Sequence, residues 1–211
     1  MDNLERFKRI IFWSFRIMLI VTAVVSIFLG HWREAAFSIF ALFCTFLPSL
    51  LEFKLEIDYP SELEIAVLLF IIGSLYLGEL HEYYEKFPWW DILLHTISAM
   101  IVAGIGLSIV FVLNESKRLA FKLSPVFVCL FAFCFAVAVG TIWEIYEFAM
   151  DQIFGLNMQK SGLMDTMWDL IVDCIAALIF SIIGYFHIKR NINFFQKIEQ
   201  KFFKLNPELK K

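Results

Sequence analysis

The chain has 211 residues, of which 60% are hydrophobic and 18% are charged, and its formal net charge is −3. Apolar residues at this density, in runs of about 20, exclude an ordinary soluble domain, in which roughly 25% of residues are charged. The composition is typical of an all-α, polytopic membrane protein.

Six apolar segments follow one another along the chain, and each is long enough to span a bilayer. We predict transmembrane helices over about residues 10–30, 34–51, 63–84, 91–114, 125–151 and 165–187, forming a single domain over residues 1–190. The first segment lacks the small-residue cleavage site of a signal peptide, so we expect it to stay as an anchor. Arg16 lies in its early turns, where we expect the side chain to snorkel to the near interface.

Residues 191–211 have a different pattern, with apolar side chains at helical spacing and lysines between them. The apolar positions are Phe194, Phe195, Ile198, Phe202, Phe203 and Leu205, and the lysines are Lys197, Lys201 and Lys204. This pattern predicts a C-terminal amphipathic helix that lies on an anionic membrane surface.

The distribution of Lys and Arg predicts the orientation of the six helices. With the N-terminus inside, the cytoplasmic segments carry fourteen of these residues and the outer segments carry only Arg33, Lys86 and Lys160. We therefore expect both termini on the cytoplasmic side. The acids of the inner connection between the second and third helices, including Glu64, are expected to be solvated.

Acidic residues gather at the predicted outer ends of the last four helices. Their spacings of three, four or seven residues place those of each helix on one face. The groups are Glu79 and Glu82; Asp91 with His95; Glu144, Glu147 and Asp151; and Asp165, Asp169 and Asp173. Carboxylates inside a membrane are costly and usually functional. We expect the four stripes to line one cavity that opens to the outside.

So many negative charges need cations, protons or water to balance them. Carboxylates with an imidazole suit Zn, Mn, Mg or Ca, so we predict a divalent metal ion as cofactor and all ten residues as candidate ligands. His95, Glu144 and Asp169 are the candidate catalytic residues, one of which would act as general base on a metal-bound water.

Three functions are consistent with this pattern. The first is a metal-dependent enzyme that acts on a lipid-linked or envelope phosphate, with membrane lipids as partners. The second is a proton- or cation-coupled transporter, since chains of acids serve as proton relays. The third is a non-catalytic envelope structural or assembly protein. Nucleic-acid binding is not indicated.

Three segments carry a resemblance to a known family: GSLYLGELHEYYEKFPWWDILLHTISA (73–99), GTIWEIYEFAMDQIFGLNMQ (140–159) and DTMWDLIVDCIAALI (165–179). Over about residues 60–185 the chain resembles the YjdF-like family of uncharacterised bacterial inner-membrane proteins, with a weaker likeness to VanZ-like membrane proteins. The resemblance implies a six-helix protein of the bacterial cytoplasmic (inner) membrane, with the acidic and histidine motifs as its signature. It implies no reaction.

Overall fold

The structure of the protein is a computed structural model that describes residues 3–115, 123–190 and 200–207. Every regular element in these residues is a helix, and six helical stretches are long and apolar enough to cross a membrane. The prediction of an all-α protein with six spans is therefore confirmed.

The helices are bounded as follows: α1 (Asn3–Leu29), α2 (Trp32–Cys44), α3 (Leu47–Leu55), α4 (Ser61–Ile71) with a π-helical continuation (Ile72–Leu80), α5 (Tyr83–Lys86), α6 (Trp90–Glu115), α7 (Pro125–Phe154) and α8 (Leu163–Arg190). The predicted tail helix lies largely outside the described residues, which include only 200–207 of it. Residues 200–205 are helical.

The helices divide into two compact units, which comprise Met1–Trp90 with Lys204–Asn206, and Asp91–Phe203 with Pro207–Lys211. Each unit therefore contains three of the six candidate spans. The single domain predicted over residues 1–190 would require these two units to associate, and it stays a prediction.

In the first unit, Arg16 is buried at 9% exposure rather than snorkelling to an interface, so that prediction is wrong. The second span is broken between α2 and α3, where Pro48 at the start of α3 cannot donate a backbone hydrogen bond. Arg16 donates to the carbonyl of Thr45 at 2.8 Å and to its hydroxyl at 3.0 Å, and its guanidinium lies 3.8 Å from the centre of the Phe46 ring. The break thus supplies the polar and aromatic partners that keep the arginine inside.

At the opposite end of the same unit, the start of α1, the start of α4 and the C-terminal tail meet. Lys8 pairs with Glu64, which is 6% exposed, so the prediction of a solvated Glu64 is wrong. The side-chain amide of Asn206 accepts from the backbone N–H of Asp58 at 2.7 Å and donates to its carbonyl at 2.8 Å. These contacts bring the N-terminal segment, the connection after α3 and residue 206 to one end of the unit.

In the second unit, α6, α7 and α8 pack through a layer of three alanines, Ala103, Ala136 and Ala177, which are all at most 2% exposed. Helices in lipid associate through small residues that let their backbones approach closely. The packing continues toward the C-terminal end of α6 through Leu107, Val110, Val128, Cys129 and Ala132. The alanine layer fixes how far the three helices are shifted along their axes relative to one another. It therefore also determines which side chains lie at the same level further along the helices.

Enlarging one member of this layer is expected to destabilise the second unit. Ala136→Leu places three extra carbons where the neighbouring helices leave no room, and overpacking of this kind lowers the free energy of unfolding by about 1–3 kcal/mol. Unfolding of the purified protein in detergent, titrated with denaturant, measures the change. Ala138→Leu is the matched control, because Ala138 is exposed on the same helix. Equal stability of the two variants would contradict the packing described.

Candidate metal centre

The acids of the second unit converge because each of its three long helices carries a residue of the cluster eight positions from its alanine of the layer. His95 precedes Ala103 by eight residues, Glu144 follows Ala136 by eight, and Asp169 precedes Ala177 by eight. Since α7 runs antiparallel to α6 and α8, all three lie at one level, about 12 Å from the alanine layer.

His95 lies at the centre of this level, buried and surrounded by four carboxylates. Its Nε2 is 3.9 Å from Asp91 Oδ1, from Glu144 Oε1 and from Asp169 Oδ1, while its Nδ1 is 3.3 Å from Asp173 Oδ1. An ionised carboxylate only accepts hydrogen bonds, so with Asp173 ionised it is the Nδ1–H of His95 that donates to Asp173. In the neutral ring, Nε2 is then a free ligand atom directed at the other three carboxylates.

Asp91, His95 and Asp169 each offer one ligand atom, and these atoms lie within 4.8 Å of one another. The 3.9 Å separations from Nε2 are too long for hydrogen bonds. Two ligands of one tetrahedral ion with bonds of about 2.1 Å are separated by roughly 3.4 Å. The separations from Nε2 are therefore about 0.5 Å longer than the spacing that one tetrahedral ion requires, and a small inward shift of the side chains would close them on an ion.

Glu144 is the least satisfied group of the cluster. It is 4% exposed, and neither side-chain oxygen accepts a hydrogen bond of normal geometry from the described residues. The Thr166 side chain lies close to it but donates no such bond. A buried carboxylate without hydrogen bonds is costly when ionised unless a cation or a proton compensates it.

Gly140 is a site residue that the sequence analysis missed. A Cβ at this position would overlap Oδ2 of Asp173 and lie 3.1 Å from its Cγ. The glycine therefore provides the space into which the Asp173 carboxylate extends to reach His95. The signal was present in the sequence, because Gly140 stands four residues before Glu144 and four after Ala136 on the same face of α7.

Two of the predicted ligands bind the loop between α7 and α8. Asp151 accepts the backbone N–H groups of Met158 at 2.7 Å and Gln159 at 2.9 Å, and Asp165 accepts that of Lys160 at 3.1 Å. These bonds order the loop over the cluster. A ligand role for either carboxylate stays a prediction.

Glu147 lies one turn beyond Glu144 on the same face of α7. Its Oε1 accepts a 2.9 Å hydrogen bond from the indole N–H of Trp143, and it interacts electrostatically with Glu144, Asp91 and His95. It therefore belongs to the outer rim of the cluster.

Glu79 and Glu82 belong to the first unit. The helix that carries Glu79 ends at Leu80, and Glu82 has a left-handed backbone with φ of 59°. The two acids therefore do not share the helical face predicted for them. Glu79 lies 3.8 Å from the Arg33 guanidinium, and Glu82 lies 3.6 Å from the Lys86 ammonium. Their role as metal ligands stays a prediction.

The fold and the cluster define a class of protein: a multi-pass α-helical membrane protein with a buried Asp/Glu/His cluster in its last three spans. The chain belongs to the family described as "Predicted membrane protein (DUF2238)", whose model matches residues 11–190. The resemblance to an uncharacterised bacterial membrane family is thereby confirmed.

A relative from Thermotoga maritima, described as an uncharacterized protein, is 31% identical over 109 residues. The match covers 52% of this chain and 54% of the relative, so the chain spans about half the length of that protein. No solved structure matches the chain.

Replacing Gly140 by alanine tests the contact with Asp173. In a helix interior this change normally stabilises by about 1 kcal/mol. Here we expect it to destabilise, because the added methyl group displaces the Asp173 carboxylate. In an Asp173→Ala background, which removes the clash, the same change should stabilise. The free energies of unfolding of the four proteins in detergent give this coupling. A stabilising Gly140→Ala in the unmodified chain would refute the close approach.

Proposed function

We propose that this protein binds a divalent cation through Asp91, His95, Asp169 and Glu144 and uses it to hydrolyse a phosphate ester of a lipid or envelope component. The observation that carries the proposal is Glu144, a buried carboxylate whose oxygens accept no hydrogen bond of normal geometry from the described residues and whose Oε1 lies 3.9 Å from His95 Nε2. A cation between these groups would compensate its charge. A structural network would be expected to satisfy Glu144 with hydrogen-bond donors.

The donor set supports a particular group of ions. Carboxylate oxygens suit Mg, Ca and Mn, whereas imidazole suits Zn and other transition metals. Three carboxylates with one imidazole therefore favour Mn or Zn over Ca and Mg. Asp173 would act from behind the ring, since ligating histidines commonly donate their other N–H to a carboxylate, which fixes the tautomer and the ring orientation.

A bound divalent cation would polarise the phosphoryl group and make a water molecule more acidic. Asp169 is the base we assign: its Oδ1 lies 3.9 Å from His95 Nε2, and its Oδ2 would accept the proton of that water. The water oxygen would form a bond to phosphorus as the bond to the leaving oxygen breaks, and the proton would then pass from Asp169 to that oxygen. His95 and Glu144 would hold the ion in place.

The excess of Lys and Arg in one set of loops supports a cytoplasmic location for both termini and an outward-facing site in a bacterial cytoplasmic (inner) membrane. The meeting of the α1 start, the α4 start and residue 206 supports the same arrangement, because these segments fall at one end of the first unit.

A transporter would need a polar path to the other side of the membrane. The sequence has no Asp, Glu, Lys, Arg or His over 96–114 in α6, 125–143 in α7 or 174–186 in α8. In the second unit this inner part is filled by the alanine layer and by the apolar residues beneath it. The described residues offer no chain of ionisable side chains for such a path, and this favours an enzyme over a transporter.

Cation binding by the purified full-length protein tests the proposal. After chelator treatment, Mn²⁺ or Zn²⁺ is added and binding is measured by calorimetry and by elemental analysis. We expect Asp169→Asn and His95→Ala to weaken binding at least tenfold, because each removes a ligand. Glu85→Gln, which changes an exposed carboxylate of the first unit outside the candidate ligands, is the control and should bind normally. Unaltered binding in Asp169→Asn would sink the proposal.

Hydrolysis is tested separately, by phosphate release from long-chain lipid monophosphates in mixed micelles. We expect release that requires Mn²⁺ or Zn²⁺ and is lost in Glu144→Gln. Cation flux in proteoliposomes, without phosphate release, would instead identify a transporter.

A further inference from the structure

The negative charge of the cluster exceeds what one divalent cation can balance. Four carboxylates contact His95, and Glu147 interacts electrostatically with the same group of residues. Lys160 and Asp165 both interact with Asp91, and their opposite charges offset one another. A single ion would leave at least two carboxylates of this buried site without a compensating charge.

The geometry points to where a second ion would bind. Asp91, His95 and Asp169 bring their ligand atoms within 4.8 Å of one another, and Glu144 Oε1 lies 3.9 Å from Nε2 of that histidine. Glu147 lies one turn beyond Glu144 on α7, so the two side chains can reach a common point. Both oxygens of Glu144 are buried, and neither accepts a hydrogen bond of normal geometry from the described residues. A carboxylate with two free oxygens can bind a different ion with each.

We infer that the site is a binuclear centre, in which Glu144 bridges two divalent cations and Glu147 is a ligand of the second. This inference rests on the proposed function and refines it. Centres with ions about 3.5–4 Å apart stabilise the attacking and leaving oxygens of a phosphoryl group. Two divalent cations would carry four positive charges against the five carboxylates of the site, and would leave one of these uncompensated where a single cation would leave three.

Trp143 has a defined part in this arrangement. Its indole N–H holds Oε1 of Glu147 at 2.9 Å, and this bond orients the carboxylate for the second ion. Trp143 is itself 47% exposed on α7, so replacing it should disturb little of the packing. It acts as a positioning residue through Glu147.

The test uses the full-length protein in detergent, stripped with chelator and loaded with Mn²⁺. Elemental analysis counts the ions per chain, and electron paramagnetic resonance detects magnetic coupling between ions a few ångströms apart. We expect two ions per chain and a coupled spectrum. One ion per chain would overturn the binuclear centre and leave the proposed function standing. No bound ion would overturn both.

Variants of Glu147 and Trp143 test the assignment residue by residue. Glu147→Gln should bind one ion and lose the coupled spectrum, whereas Glu85→Gln should retain both. Trp143→Phe should weaken binding of the second ion by about tenfold and leave that of the first unaltered, as expected for an outer-shell partner. A coupled pair in Glu147→Gln, or equal second-ion affinity in Trp143→Phe, would remove these residues from the centre.

Discussion

The contact of α6, α7 and α8 through Ala103, Ala136 and Ala177 is the constraint on which the rest of the second unit depends. Small side chains allow these backbones to approach closely, and the close approach fixes their relative heights. His95, Glu144 and Asp169 each stand eight residues, or about two turns, from the alanine of their own helix. Aligning the alanines therefore also aligns these three side chains. The convergence of His95, Glu144 and Asp169 is therefore a consequence of apolar packing well below them.

That packing has an electrostatic consequence. It holds four carboxylates around one imidazole, with Glu144 and Asp169 at most 4% exposed. Such a cluster does not stabilise the fold when its charges are uncompensated, since desolvating each ion costs several kcal/mol. The energy that maintains it comes from the helix contacts beneath it and from the ordered loop above it. This division between a stabilising layer and a strained polar layer is typical of a functional site.

The first unit handles its intramembrane charge differently. Arg16 is buried but satisfied, because the break between α2 and α3 exposes a carbonyl that a continuous helix would have used. Glu64 is likewise buried against Lys8. Both charges have direct partners within hydrogen-bonding reach. Glu144 differs from both, because its oxygens accept no hydrogen bond of normal geometry within the described part of the chain, and this distinguishes the second unit as the place to look for chemistry.

The sequence by itself determined the membrane class, the six spans and most of the cluster, because hydrophobic length and the period of acids along a helix are local properties. It could not determine that the third span ends at Leu80, which separates Glu79 and Glu82, or that a helix break buries Arg16. Nor could it show that Asp173 lies at Nδ1 of His95, or that Gly140 leaves the space that the Asp173 carboxylate occupies. Those features depend on how closely helices approach one another, and only the tertiary packing decides that distance.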